Sequence, residues 1–496
     1  MKKIGLLLLL VSIICLHLFS CGGNDNSISV TDIENRDDSV IDNTDTLPAV
    51  ESVKLEPDLP EADFDGAVIN FLVKGEAHHW YWCSKEIYSE QENGEPVNDA
   101  VYKRNRYLED KYNFNITEYR SGNPQSDAQK ALRADDPVYD VFMVGLDTGA
   151  NFAQNGNLVN LYSIPNIKLS QPWWDQKAVE QLVIGDKLYY ALGDLNIMDN
   201  DATFATFFNK KLIADYAMDN PYQLVRENEW TLDKFNEMII KISKDLNGDG
   251  IMDGEDLFGQ LSEYYCSYAL FVAAGGRITN NDSNNYPELI INDERTSAIV
   301  DKILINMGNR NVTLCADDYS GKYSNPWDEL TRPMFKSNQG LFYTIGMGSC
   351  REFRDMEADY GILPLPKFDK NQQDYHHFIG TGSTTSMCIP VTNANLERTG
   401  HIVEAMAAES MYTLTEAYYT INFEKKQLRD EDSIEMTKII LTSRSYDVGE
   451  IYNFGDFVHL FGNMARKNQN TFVSDYEKKE NSAQNQIDKL IESFKG

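Results

Sequence analysis

Positive charge is scarce in this sequence: 45 lysines and arginines stand against 77 aspartates and glutamates in 496 residues, a net charge of −32. No basic stripe exists to meet phosphates, so nucleic acid is excluded as a partner, and direct adsorption to anionic lipid is disfavoured. Cysteine is scarce too. Apart from Cys15 and Cys21, the chain carries Cys83, Cys266, Cys315, Cys350 and Cys388. So few in so long a chain exclude a disulfide scaffold, while leaving room for one or two bridges. None stands in a Cys-x-x-Cys pair, which argues against structural zinc on thiolates. Beyond residue 19 no apolar run reaches the length of a membrane-spanning helix. There is no Gly-x-Ser-x-Gly, no His-Glu-x-x-His and no phosphate-cradling glycine-rich loop, so the common hydrolytic and phosphoryl-transfer frames are missing.

What is present begins with an export signal. Lys2 and Lys3 precede an apolar run over residues 4–19 that is too short and too N-terminal to read first as a spanning helix. Its end, Leu18-Phe19-Ser20-Cys21, resembles a bacterial lipobox, although Phe19 is bulkier than usual there. The resemblance implies removal of residues 1–20 and lipidation of Cys21, anchoring the protein to the outer side of a cell membrane by its acyl chains. Cleavage as an ordinary signal peptide would export the chain equally. Residues 22–61 are rich in Asp, Asn, Ser, Glu and Thr and lack a core-forming apolar pattern, so residues 21–61 read as a lipidated cysteine with an acidic, extended tether.

From residue 62 onwards aromatics become dense, and about 430 residues remain, enough for two large lobes. Residues 67–73 (AVINFLV), 114–119 (FNITEY) and 139–144 (YDVFMV) read as strands, with helices over 98–112 and 127–133 between them. Strand-helix-strand-helix-strand at this spacing predicts a parallel sheet covered by helices. Residues 187–192 and 202–209 (ATFATFFN) are strand-like, and Thr231 is placed to cap a helix with Asp233 in its first turn. A second α/β set follows, through 340–344 (GLFYT) and 361–365 (GILPL), and the last hundred residues read as mainly helical. The fold class is α/β, in two lobes that the chain enters more than once.

Several stretches, in order, resemble the family 1 bacterial extracellular solute-binding proteins, the group that includes maltose-binding protein. They are 139–144 (YDVFMV) followed by Asp147 and 152–158 (FAQNGNL), then 207–212 (FFNKKL), 230–235 (WTLDKF), 259–276 ending in AAGG, and 360–366 (YGILPLP). The resemblance spans residues 62–496. It implies a two-lobe periplasmic-binding-protein fold of type II, with three hinge crossings near 200–204, 363–367 and 423–428. Lobe one would be 62–200 plus 367–423, and lobe two 204–363 plus 428–496. It also implies an extracytoplasmic, monomeric binding protein that captures a small ligand in the cleft and presents it to the membrane permease of an ABC importer.

A sugar needs carboxylates and amides for its hydroxyls and flat rings for its C–H faces. Asp147 lies just past a strand end, where ligands gather in open α/β sheets, and aligns with the family's ligand aspartate; its alternative is a helix cap. In 78–82 (HHWYW), Trp80 and Trp82 would face opposite ways, so one of them meets ligand. Glu263, Tyr264 and Tyr265 fall in the family's aromatic ligand segment. Trp327 and Tyr452 are further candidates, with Phe454 beside the latter, whereas Trp173, Trp174, Tyr189 and Tyr190 read as core. The pairs His78-His79 and His376-His377 raise a zinc or copper alternative, but adjacent imidazoles splay apart.

Residues 245–256 (DLNGDGIMDGED) form the sharpest local motif and resemble EF-hand and dockerin-type calcium loops. Oxygen ligands fall at loop positions 1, 3, 5, 9 and 12 through Asp245, Asn247, Asp249, Asp253 and Asp256, with the Ile251 carbonyl at position 7 and Gly250 at the sharp turn. The expected ion is a structural calcium, held less tightly because Asp256 replaces the usual Glu. No paired carboxylate stands in a recognisable glycosidase frame. A surface sensor or adhesin that binds glycan without transport, or a secreted glycan-active enzyme, would be the rival readings. Whether the ligand is a mono- or an oligosaccharide, a polyol, a phosphodiester or a polyamine stays open.

Overall fold

The computed structural model describes residues 54–75, 82–419 and 430–495. The signal segment, Cys21, most of the tether, His78, His79, Trp80 and the crossing expected at 423–428 lie outside the described residues. No helix among those described is long and apolar enough to cross a membrane.

Among the described residues twelve strands follow in chain order: β1 (Ala67–Lys74), β2 (Phe114–Ser121), β3 (Val141–Gly145), β4 (Tyr190–Ala191), β5 (Phe204–Asn209), β6 (Phe258–Ser262), β7 (Thr279–Asn281), β8 (Pro287–Leu289), β9 (Thr313–Cys315), β10 (Gly340–Gly346), β11 (Tyr360–Leu363) and β12 (Thr385–Cys388). The first sheet runs β2-β1-β3-β12-β4 and the second β11-β5-β10-β6-β9, with β7 and β8 paired separately. In the first sheet β1 is parallel to both neighbours, with Ala67 opposite Phe114 and Phe71 opposite Val141. β12 returns antiparallel to β3. Central β3 is buried throughout, whereas edge strand β2 alternates between core and solvent, as its alternating FNITEY predicts.

The helices between β1 and β3 begin and end where sequence chemistry directs. Pro96–Tyr112 opens with proline in its first turn and ends at Asn113 in the left-handed region. In Pro124–Ala134 the Asn123 side chain accepts from the Ser126 N–H. Leu232–Ile242 is capped by Thr231, as expected, and its buried Leu232, Phe235, Met238, Ile239 and Ile242 form one apolar face. That face lies on β6 so closely that a Cβ at Gly259 would stand 2.3 Å from the Ile239 carbonyl oxygen, which requires glycine.

The expected strand over 187–192 shrinks to Tyr190–Ala191. A tight turn pairs Ile184 with Lys187 on one side, and Gly193 packs against the Trp173 backbone on the other, so little extended chain remains. The five body cysteines are all free and buried. Trp173 and Trp174 are core, and both indoles donate to Glu404 at 3.0 Å.

Between β4 and β5 the chain passes from one sheet to the other through the short helix Met198–Ala202. Two buried ion pairs pin it: Asp201 binds Arg351 through both oxygens at 2.6 and 2.8 Å, and Asp199 accepts from Arg444 at 2.7 Å. Tyr418 also donates to Asp201, at 2.6 Å. The chain leaves the second sheet after β11 and rejoins the first at β12. Helix Leu396–Tyr412 then packs on Pro96–Tyr112, and Glu431–Thr442 packs on β11.

Candidate functional site

β6 and β10 run parallel, so their carboxyl ends point the same way. A cavity of about 300 Å³ opens there, facing residues that follow β1 and precede β12 in the first sheet. Ligand sites in open α/β sheets gather at such strand ends. Trp82 comes from the segment after β1, Phe204 opens β5, Glu263 and Tyr265 follow β6, and Ile345 and Gly346 end β10. Asn325, Trp327 and Arg332 come from the start of the helical segment before β10, and Gly380 and Ser383 from the turn before β12. Ser349 completes the wall.

Four sequence-predicted residues thus meet in one cavity: Trp82, Glu263, Tyr265 and Trp327. Their settings differ. Trp82 lies over Gly346, where an added Cβ would come within 3.8 Å of its ring. Tyr265 is held edge-on by Phe204 and Phe378, with ring centroids 6.0 and 5.2 Å away. The Trp327 indole donates to Glu263 Oε2 at 2.7 Å. Asn325 caps the turn that carries Trp327, accepting from the N–H groups of Trp327 and Asp328. Arg332 pairs with Asp328 one helical turn back. Burial pushes the Glu263 carboxyl up to about 7, nearby Asp317 adds to the rise, and the Trp327 hydrogen bond opposes it. Flat apolar rings and a few convergent polar groups give the chemistry of a site for a hydroxyl-rich, partly apolar ligand.

Asp147 is not in this cavity. It sits in the first turn of helix Leu146–Gln154, where its carboxylate accepts from the Thr148 N–H at 2.6 Å. It lines a neighbouring cavity of about 300 Å³ with Lys74, residues 122–125, Thr148 and Gly382. The turn before β12 separates the two, with Gly380 and Ser383 on one cavity and Gly382 on the other.

Two candidates point elsewhere. Tyr264 is buried, its hydroxyl 2.8 Å from the Asp318 carboxylate and its ring centroid 4.9 and 4.2 Å from the guanidinium groups of Arg310 and Arg466. Consecutive residues Tyr264 and Tyr265 diverge because the chain turns into helix Cys266–Ala273 at that point. Tyr452 stacks on Phe454 and shares a hydrogen bond of 3.3 Å with the core residue Tyr190.

His376 and His377 do not form a metal pair: each imidazole Nδ1 meets a serine hydroxyl, Ser445 and Ser443, and His377 Nε2 accepts from the Leu365 N–H at 3.0 Å. In the loop 245–256, Asp245 accepts from the N–H groups of Gly248 and Gly250 at 2.6 and 2.9 Å, and Asp256 from those of Leu246 and Asp253 at 2.8 and 2.9 Å. Gly248 and Gly250 both adopt positive φ. Among the described residues no three His, Cys, Asp or Glu side chains stand close enough together to hold an ion.

Sequence reasoning missed Phe204, Asn325, Arg332, Ser349, Gly380 and Ser383. Of these, the glycine-rich run 380–384 (GTGST) before a strand was the one visible signal.

No family model and no curated protein matches the chain. Solved structures do. An ABC substrate-binding protein from Listeria monocytogenes, in complex with cycloalternan, is 13% identical, with TM-score 0.53 over 87% of this chain and 99% of its own. A cyclo/maltodextrin-binding protein complexed with maltotetraose is 15% identical, with TM-score 0.56 over 86% of this chain and 97% of its own. A maltose/maltodextrin-binding domain from Bdellovibrio bacteriovorus, bound to maltotriose, is 13% identical, with TM-score 0.50 over 86% and 99%. The chain has the two-lobe α/β fold of periplasmic binding proteins.

Proposed function

We propose that this protein is an extracytoplasmic solute-binding lipoprotein that captures a carbohydrate between its two sheets for an ABC-type importer. The observation that carries the reading is the joining of Trp82, Tyr265 and Trp327 with Glu263, Asn325, Ser349 and Ser383 in one cavity. Aromatic faces suit the C–H patches of a sugar ring, and the carboxylate, amide and hydroxyls suit its rim. The three solved structures named above are complexes with oligosaccharides, which supports the same ligand class here. Glu263 is the sole carboxylate among the lining residues, which favours capture over glycosidic acid–base chemistry, where two carboxyl groups flank the bond.

In this reading the lobes are residues 62–200 plus 367–423 and 204–363 plus 428–496, and closure about Met198–Ala202 and the other crossings presents a surface to the permease. Cys21 carries the lipid anchor, and the domain works as a monomer. The loop 245–256 takes up calcium through Asp245, Asn247, Asp249, the Ile251 carbonyl, Asp253 and Asp256. The ion would draw in the carboxylates that loop N–H groups now hold, and would stiffen the second lobe.

The test is thermal melting of the chain from Lys54 onwards, with calcium, against mono- and oligosaccharides, polyols and polyamines. A ligand at about 100 times its Kd adds about 2.7 kcal/mol to the folded state. A raised Tm with one sugar class supports capture. A flat response across all the sugars, or hydrolysis of one of them, counts against it.

A further inference from the structure

Lys74 ends β1, where a lysine would ordinarily turn out to water, yet it is only 6% exposed. Its ammonium lies 2.8 Å from the carbonyl oxygen of Gly382, 3.2 Å from that of Ser383 and 3.3 Å from that of Thr384. An ammonium has three N–H donors, and here three successive carbonyls of one turn receive them. Burial lowers its pKa to about 8 against the favourable fields of Asp147 and Glu86, so the group keeps its charge at neutral pH.

The turn it grips is the partition between the two cavities. The other ties of that turn reach both the first sheet and the crossing. The Leu146 N–H donates to Thr381 O and the Gly380 N–H to Ala202 O, each at 3.0 Å, while the Ser383 and Thr384 N–H groups fold back onto Gly380 O. Three carbonyls converging on one side fix which way the turn faces, and therefore where Gly380 and Ser383 stand in the wall of the Trp82–Trp327 cavity. Without the ammonium, three carbonyls of the turn would lose their donor, that of buried Thr384 at the greatest cost, which the turn relieves by rotating towards water.

We infer that Lys74 is a positioning residue of the ligand cavity: its ammonium holds the Gly380–Thr384 turn in the shape that binds ligand, without itself touching the ligand. The inference rests on the cavity being the capture site proposed above.

The experiment uses Lys74→Met, which keeps chain length and removes every donor, and Lys74→Gln, which keeps two. Amide hydrogen exchange of the ligand-free protein reports on the turn, and calorimetric titration with maltotetraose reports on the cavity. In Lys74→Met, exchange across residues 380–384 should rise at least about tenfold while residues 340–346 stay unchanged, and maltotetraose affinity should fall at least about tenfold. Lys74→Gln should show a smaller change of the same kind, and it carries the test if the methionine variant does not fold. Unchanged exchange in the turn, a rise spread evenly over the protein, or a loosened turn with affinity within about twofold of the parent would each overturn the inference. A parent protein that ignores maltotetraose and every other sugar would count against carbohydrate capture, and exchange alone would then decide whether Lys74 holds the turn.

Discussion

The inter-sheet cavity and the loop 245–256 hold polar groups of the same kind in opposite states. In the loop, half-buried Asp245 and buried Asp256 are each satisfied by two backbone N–H groups of the loop itself, and the bonds from Gly248 and Gly250 hold the Asp245 carboxyl below its ordinary range. In the cavity, half-buried Glu263 has one indole donor, and its carboxyl is pushed up to about 7. The loop is a self-contained local device, and the calcium proposed for it would have to take these carboxylates from the N–H groups that hold them. The cavity is an assembly of distant segments whose polar groups are held ready for a partner's hydrogen bonds.

The largest effect should come from breaking the cavity. Trp327→Ala removes a stacking face and the indole donor of Glu263, and should weaken sugar binding about 100-fold, roughly 2.7 kcal/mol, in calorimetric titration. Next is the loop. A chelator should lower the Tm by several degrees, and Asp245→Ala with Asp249→Ala should abolish that sensitivity while leaving sugar affinity intact. A Tm indifferent to chelator and to added calcium would remove the ion from the loop.

Glu263→Gln sharpens the contrast through pH. With its carboxyl near 7 in the fold against 4.5 in the unfolded chain, the folded state binds more protons between those values. The stability that Glu263 costs therefore grows as pH rises through that window and is fully present above 7. The variant should be more stable than the parent at pH 8 and close to it at pH 4.5, in denaturant melts. Its sugar affinity should fall about tenfold at pH 8 and little at pH 5, where the parent carboxyl is already neutral. The smallest effect belongs to Tyr452→Phe, whose hydroxyl meets Tyr190 rather than the cavity: affinity should stay within about twofold.

The same contrast governs what the sequence could reveal. The loop is contiguous, so its spacing was legible at sight, as were β1, β2 and β3 and the helices between them. The cavity draws on segments from Trp82 to Ser383. Trp82 stood out at a strand end, Glu263 and Tyr265 by resemblance and Trp327 in a polar stretch, but the sequence could not say which way each side chain turns. Tyr264 and Tyr265 are neighbours with opposite fates, decided by the start of helix Cys266–Ala273. Asp147 follows the end of β3, yet the Gly380–Thr384 turn, more than 230 residues on, stands between it and the cavity. Arg332, Ser349 and Lys74 carry no local mark, because their roles come only from what distant chain brings beside them.

Carbohydrate capture between the sheets is tested most directly by tryptophan fluorescence titration of the parent and of a Trp82→Ala, Trp327→Ala double variant, using the sugar that most raises the Tm. Capture in this cavity predicts a saturable change in the parent and none in a folded double variant. A saturable change of equal affinity in both would place the sugar elsewhere and contradict it.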